Sequence, residues 1–121
     1  MATILIVDDS PTQLHTLKTM VEGIGHDVIT ADNGSQGVEL AKSEQPDLIL
    51  MDVVMPELNG FQATRTISRD SKTSHIPVIL VTTKDQETDR VWGMRQGAKA
   101  YLTKPVNSKE LQAVMSEVMG S

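Results

Sequence analysis

Acidic side chains stand directly after two short apolar runs of the sequence. Asp8 and Asp9 follow the first run, and Asp52 ends the third. Two later runs lead into other polar groups, the hydroxyl of Thr82 and the ammonium of Lys104. If these runs are parallel strands of one sheet, their carboxyl ends share one edge, where open α/β sheets bind ligands. The pattern therefore predicts a site with three carboxylates, a hydroxyl and one ammonium.

Neighbouring carboxylates repel one another, so such a site either protonates one member or recruits a cation. Ligands that are all oxygen favour a hard ion, Mg²⁺ or Ca²⁺. Mg²⁺ fits better, because it accepts few protein ligands and fills its shell with water and phosphate oxygens, and because the spaced acidic loop of an EF-hand is missing. With a metal and Lys104 neutralising charge, one aspartate can attack a phosphoryl group and carry it as an acyl phosphate.

The simpler alternative treats these groups as ordinary surface residues. Each aspartate would then be a solvated acid at the end of a strand, and Lys104 an ion-pair partner on the surface. Convergence of several such groups on one edge favours the functional interpretation.

Five apolar runs must position these groups. They are continuous rather than alternating, which is typical of strands buried on both faces of a parallel sheet. The runs cover residues 4–7, 28–29, 48–51, 78–81 and 100–102.

Segments with helical periodicity lie between and after the apolar runs. Ser10 is predicted to cap the first helix, with Pro11 at its first position and Gly25 at its end. Asn107 or Ser108 is predicted to cap the last helix. Weaker helical patterns cover residues 35–43, 61–68 and 87–96, and a glycine within the third of these weakens it further. Alternating strands and helices predict a doubly wound α/β fold of five βα units.

Composition narrows the class of protein. The chain has 121 residues, no cysteine, a net charge of −5 and a pI near 5.0. A disulfide scaffold, a thiolate zinc site and a cysteine nucleophile are therefore excluded, and nucleic acid is a poor partner for so acidic a chain. No apolar stretch resembles a signal peptide or a membrane span. We expect one cytoplasmic domain over residues 1–121 without a membrane partner.

Five short motifs resemble the receiver domains of bacterial two-component response regulators. They are IVDDS at 6–10, LMDVVMP at 50–56, NG at 59–60, VT at 81–82 and YLTKP at 101–105. They match in order and spacing over essentially the whole chain. The sequence is similar to stand-alone CheY-like members, and residues 59–65 and 81–89 resemble the PilH type, from the chemosensory system that controls type IV pili and twitching motility. The resemblance implies a flavodoxin-like fold, with five parallel strands and five helices, and no output domain.

The resemblance also implies roles for individual residues. Asp52 becomes the phosphoacceptor. Asp8, Asp9 and Asp52 hold Mg²⁺ together with the backbone carbonyl of Val54, and Lys104 binds the phosphoryl oxygen.

Signal transmission is implied in the same way. Thr82 moves toward the phosphoryl group, Tyr101 turns inward behind it, and the Lys104–Pro105 peptide is cis. The implied phosphodonor is a CheA-like histidine kinase. The implied output target is a pilus or motility protein, which docks on the face of the fourth helix, fifth strand and fifth helix.

Three positions near the motifs are expected to set rates. Val54 and Lys84 lie two residues past Asp52 and Thr82, where receivers tune hydrolysis of the acyl phosphate. Because the Val54 side chain cannot hydrogen-bond an attacking water, we expect slow dephosphorylation. Thr83 occupies a position where many receivers carry alanine, and its larger side chain is expected to narrow access to the phosphoryl group.

Two other functions compete with the messenger interpretation. The protein can instead be a phosphate sink that drains a shared kinase. A Mg²⁺-dependent phosphatase with an aspartate nucleophile is disfavoured, because Val54 occupies the position where such enzymes carry a second aspartate. No activity on other molecules is expected.

Some notable residues lie outside the motifs. His15, His26 and His75 are predicted to be solvated or structural. Trp92 is predicted either to be a half-buried packing residue or to contact a partner on the output face.

Overall fold

The computed structural model describes residues 1–120, which form five strands and five helices in strict alternation. In chain order these are β1 Thr3–Val7, α1 Pro11–Ile24, β2 Asp27–Ala31, α2 Gly34–Glu44, β3 Leu48–Met51, α3 Gly60–Arg69, β4 Val78–Thr82, α4 Glu87–Arg95, β5 Ala100–Thr103 and α5 Ser108–Met119. The predicted doubly wound fold is therefore confirmed, and each predicted element lies within a few residues of its observed bounds.

The strands form one parallel sheet in the order β2-β1-β3-β4-β5. The three inner strands are buried along almost their whole length, as the continuous apolar runs predict. The prediction that every strand is buried on both faces is wrong for β2, where only Ala31 is buried. This strand lies at an edge of the sheet, so fewer neighbours cover it.

Alternate residues of each strand enter two separate cores. On one face, Ile4 and Leu50 pack with residues of α1 and α5, such as Leu17 and Leu111. On the other face, residues of β1, β3 and β4 pack with α2 and α3; they include Leu5, Val7, Ile49, Met51 and Leu80. Helices on both faces leave the carboxyl edge of the sheet uncovered, so side chains that follow the strands can meet there.

Side-chain caps fix where most helices begin. The Ser10 hydroxyl accepts the Gln13 N–H, and Asn107, rather than Ser108, caps α5. Asn59 and Gln62 form a reciprocal capping box at α3. Helix α4 differs, because no side chain caps its start. Within residues 1–120, none of the helices is long and apolar enough to cross a membrane.

Candidate functional site

The three predicted carboxylates meet at the carboxyl edge of the sheet. Asp8, Asp9 and Asp52 can each place an oxygen within 4.8 Å of the others. Backbone hydrogen bonds continue past the strands and fix two of them: Asp8 N–H donates to the Ala31 carbonyl at 3.1 Å, and Asp52 N–H to that of Val7 at 2.9 Å. Asp8 and Asp52 are buried, whereas Asp9 is exposed. The site is thus a buried acidic pair with one acid open to solvent.

Lys104 supplies the positive charge of this cluster. Its Nζ lies 2.7 Å from Asp8 Oδ2 and 3.7 Å from Asp52 Oδ1, and its side chain is largely buried. The Lys104 N–H donates to the Thr82 carbonyl at 2.8 Å, so β4 fixes the start of the loop. The Lys104–Pro105 peptide is cis, as expected. The ammonium therefore lies between two aspartates rather than on the surface.

Asp52 is held in a strained electrostatic setting. Burial raises the pKa of Asp52 above its ordinary value of 3.8; the Lys104 charge opposes this rise, and the charges of Asp8 and Asp9 add to it. One oxygen, Oδ1, also accepts the Val53 N–H at 2.9 Å. Ionisation of this carboxyl group is therefore unfavourable unless a cation lies nearby. The cluster of acids in the sequence predicts this behaviour.

The donor set fits a hard divalent cation. All three acids offer oxygen, and Asp9 gives access from solvent. Mg²⁺ usually binds few protein ligands and retains several waters. A site with three acids and one side open to solvent suits this coordination. The residues present can therefore hold Mg²⁺.

The loop after Asp52 is packed tightly against helix α3. The Gly60 N–H donates to the Val53 carbonyl at 2.9 Å, and a side chain at Gly60 would collide with the backbone carbonyl of Asp52. This contact explains the glycine of the Asn-Gly motif. Within the loop, Val54 is 56% exposed and Glu57 has a positive φ of 67°.

Thr82, Lys84 and Tyr101 form a second connected group beside the acids. The Lys84 N–H donates to the hydroxyl of buried Thr82 at 3.3 Å. The Lys84 carbonyl accepts the Tyr101 hydroxyl at 2.7 Å, and the ring is only 6% exposed. Burial, followed by the charges of Asp89 and Asp85, raises the pKa of Tyr101 to about 12. The ring therefore lies inward in this structure.

The sequence did not point to several groups that complete the site. The Val53 amide and the Lys84 carbonyl are backbone atoms, which every residue carries, so residue type gives no signal for them. The side chain of Lys84 also pairs with Asp89 of α4, with Nζ 3.7 Å from Oδ1. A Lys and an acid five residues apart are too common in sequences to stand out.

Residues predicted to lie apart from the site do so. His26 Nδ1 accepts the Ala2 N–H at 3.1 Å, which is a structural role, while His15 and His75 are exposed. Trp92 is 48% exposed, so it is half-buried, and a partner contact through its exposed part stays a prediction. Thr83 is exposed beside the buried Thr82.

Comparison of this sequence with known proteins finds relatives that share one domain family. The model of the response regulator receiver domain family matches residues 4–116. Protein PilH of Pseudomonas aeruginosa is 60% identical over 119 residues, which cover 98% of each chain. The transcriptional regulatory protein PhoP of Bacillus subtilis, which controls alkaline phosphatase synthesis, is 37% identical over 96% of this chain but only 48% of its own length.

Solved structures agree with this result. The receiver domain of a sensor histidine kinase from Pseudomonas aeruginosa, solved with a magnesium ion in its active site cleft, superposes with a TM-score of 0.91 at 32% identity and covers 99% of this chain and 98% of its own. The Vibrio cholerae chemotaxis protein CheY4 gives a TM-score of 0.91 at 29% identity, with 98% of both chains covered.

Proposed function

This chain belongs to the response regulator receiver domain family, and from that premise we propose that it is a single receiver domain that switches when Asp52 is phosphorylated. The phosphodonor is a phosphohistidine on a CheA-like histidine kinase. One observation carries the proposal: Asp52 is a buried carboxylate that lies 3.7 Å from the ammonium of Lys104 and clusters with two further acids. A buried carboxylate with a specific charge partner at the edge of the sheet is typical of a functional site.

The transfer uses groups that this chain supplies. An oxygen of Asp52 attacks the phosphorus, an O–P bond forms, the P–N bond to the imidazole breaks, and the imidazole takes a proton from solvent. Because Oδ1 already accepts the Val53 N–H, we assign the attack to Oδ2. Lys104, which lies 3.7 Å from Oδ1, stabilises the charge on the phosphoryl oxygens.

Asp8, Asp9, Asp52 and the Val54 carbonyl would hold Mg²⁺, which when bound neutralises the negative charge of acids and phosphoryl group alike. The acidic cluster supports this assignment, as does the magnesium ion in the related receiver domain. Asp9 is the exposed member and so the first ligand that an entering cation meets.

Thr82 and Tyr101 carry the change at Asp52 to the output face. Thr82 is expected to turn toward the phosphoryl group, which shifts the population of the neighbouring loop and helix. The output face comprises α4, β5 and α5, and its large exposed apolar residues, which all lie on α4, are Val91, Trp92 and Met94. These residues offer an apolar surface on which an output target can dock.

The target proposed for this surface is a type IV pilus or motility protein in the cytoplasm. The 60% identity to PilH supports that biological setting. If binding of such a partner strengthens on phosphorylation, the protein is a messenger. Competition for kinase phosphate without any such gain in affinity identifies a sink.

The experiment for the proposed function is intact-mass analysis after incubation with acetyl phosphate, with Mg²⁺ or with EDTA. We expect one phosphoryl adduct that requires Mg²⁺ and disappears in Asp52→Ala. Asp32→Ala is the matched control, since Asp32 is an exposed acid at the end of neighbouring strand β2. Absence of an adduct on the folded wild-type protein would overturn the proposal. Repeated turnover of a phosphate ester would instead establish a phosphatase.

A further inference from the structure

Helix α4 packs against the sheet through a glycine, Gly93, rather than through a large side chain. Across residues Glu87–Arg95, Gly93 alone is buried, while Val91, Trp92 and Met94 are 43%, 48% and 40% exposed. A helix normally packs on a sheet through a stripe of apolar side chains. Here the closest approach is made by backbone, so α4 lies nearer to the residues beneath it than a side chain would allow.

Two side chains lie directly beneath Gly93. Leu80 and Tyr101 are paired in register on neighbouring strands β4 and β5, so both point toward α4. A Cβ atom added to Gly93 would lie 2.6 Å from Leu80 Cδ1, and 3.2 and 3.3 Å from Tyr101 Cδ2 and Cε2. These distances are shorter than the normal separation of carbon atoms in contact, so a side chain at this position requires a neighbour to move.

The two neighbours differ in their freedom to move. Leu80 is fully buried in an inner strand, where the surrounding core atoms oppose a shift of its side chain. Tyr101 lies on the edge strand β5, and its hydroxyl already reaches the Lys84 carbonyl in the β4–α4 loop. A rotation of its side chain carries the ring out to solvent, at the cost of that hydrogen bond.

The same loop is attached to α4. Lys84 donates its N–H to Thr82, accepts the Tyr101 hydroxyl, and pairs through Nζ with Asp89 in the first turn of α4. The inward ring of Tyr101 and the position of α4 are therefore linked at two places. One is the backbone of Lys84, and the other is the contact of the ring with Gly93, which has no side chain.

We propose that Gly93 is a positioning residue for Tyr101: the missing side chain at this position admits the ring beneath α4, and a methyl group there turns the ring outward and breaks its hydrogen bond to Lys84. The position of the ring follows from packing alone. Its consequence for signalling rests on the proposed function, in which Tyr101 reports the state of Asp52.

The test uses the single tyrosine of the chain, which gives one resonance when replaced by 3-fluorotyrosine. Fluorine NMR is recorded without phosphodonor for wild type, Gly93→Ala and Gly23→Ala. Gly23→Ala is the matched control, because a Cβ there would meet nothing within 4 Å in helix α1. We expect wild type and control to share a solvent-protected resonance, and Gly93→Ala to move toward the position of the unfolded chain.

A second readout is the ultraviolet titration of the unlabelled protein. In Gly93→Ala the phenol pKa is expected to fall from about 12 toward the value of about 10 for solvated tyrosine. The double variant Gly93→Ala/Leu80→Val removes the nearest obstacle and leaves the ring, so it serves if the single variant folds poorly. A protected, wild-type resonance in either folded variant would overturn the proposal.

Addition of acetyl phosphate and Mg²⁺ then separates the two proposals. If the wild-type protein acquires no phosphoryl group, the proposed function fails while the ring result stands. If phosphorylation proceeds but Gly93→Ala keeps its ring inward, the inference about Gly93 fails alone.

Discussion

Lys104 is bound more closely to Asp8 than to Asp52. Its Nζ lies 2.7 Å from Asp8 Oδ2, and a further 1.0 Å away, at 3.7 Å, from Asp52 Oδ1. The other oxygen of Asp8 accepts the Ser10 N–H at 2.9 Å, so both oxygens of this buried acid are engaged. In this structure the lysine therefore acts mainly as the counter-ion of Asp8.

Replacement of Lys104 is expected to destabilise the fold. Lys104→Met leaves Asp8 buried without its cation, which costs about 3 kcal/mol of unfolding free energy. Lys84→Met is the matched control, because its pair with Asp89 is longer, at 3.7 Å, and more exposed, and contributes less than ~1 kcal/mol. Urea unfolding in EDTA measures both variants. Equal losses in the two would contradict the assignment of a buried pair.

The raised pKa of Asp52 makes stability depend on pH in a definite direction. Since burial favours the protonated carboxyl in the folded state, its contribution to stability is complete below about pH 3.8 and is lost as pH rises through the folded-state pKa. Asp52→Asn is therefore expected to raise the unfolding free energy at pH 7 in EDTA, and to lose this advantage at acid pH.

Asp70 provides a control of opposite sign. The Lys72 N–H, and to a lesser extent the Lys42 charge, lower the pKa of Asp70. Asp70→Asn is expected to weaken the fold at pH 7, with the difference shrinking as pH falls. Denaturant titrations at several pH values test both variants. The same sign for both would refute the electrostatic explanation.

Two fully buried threonines give a comparison of satisfied and unsatisfied hydroxyls. Thr64 Oγ1 has no hydrogen-bond partner among residues 1–120, whereas Thr73 Oγ1 donates to the Ile67 carbonyl at 2.7 Å. Thr64→Val should stabilise the protein by about 1 kcal/mol, and Thr73→Val should destabilise it by about 1 kcal/mol. Thermal or urea unfolding distinguishes these signs, and a loss in Thr64→Val would reveal a missed partner.

Glu57 is held in a backbone conformation that suits glycine. Its φ of 67° costs a side-chain-bearing residue roughly 1–2 kcal/mol. Glycine loses more entropy on folding, which offsets part of this relief. Glu57→Gly is therefore expected to raise the unfolding free energy by about 0.5–1 kcal/mol. Glu57→Ala keeps the Cβ atom and should gain nothing. A similar gain in both variants would show that charge, not backbone, is responsible.

Val54 is expected to keep the phosphoryl group on Asp52 for longer. Its exposed side chain cannot orient an attacking water, whereas an amide can. Loss of the phosphoryl mass from Val54→Asn should be several-fold faster than from wild type, and Val54→Ala should resemble wild type. An equal or slower loss in the asparagine variant would rule out this role.

The sequence predicted the fold and the acidic cluster because both depend on residue type. Continuous apolar runs define the inner strands, and the acids that follow them meet because parallel strands end at one edge. The pattern could not show that Lys104 would choose Asp8 as its nearer partner. That preference follows from the path of the β5–α5 loop, a matter of tertiary geometry.

Gly93 illustrates the opposite failure. By local propensity it argues against a helix, since glycine costs about 1 kcal/mol relative to alanine in a helix. The structure nevertheless has a helix from Glu87 to Arg95, and the glycine is explained by the ring and the leucine beneath it. These contacts come from the two strands that flank the helix, and helix propensity, which counts only the residue itself, does not include them.

The wide sequence separation of the site has a consequence for synthesis of the protein. Lys104 is translated 96 residues after Asp8. A ribosome-bound chain that stops before β5 already carries all three acids but lacks their cation. Long-range contacts of this kind form slowly, because closing the intervening loop costs entropy. The acidic cluster therefore gains its lysine only after β5 has been translated, and a product that ends before β5 has the acids of the site without its lysine.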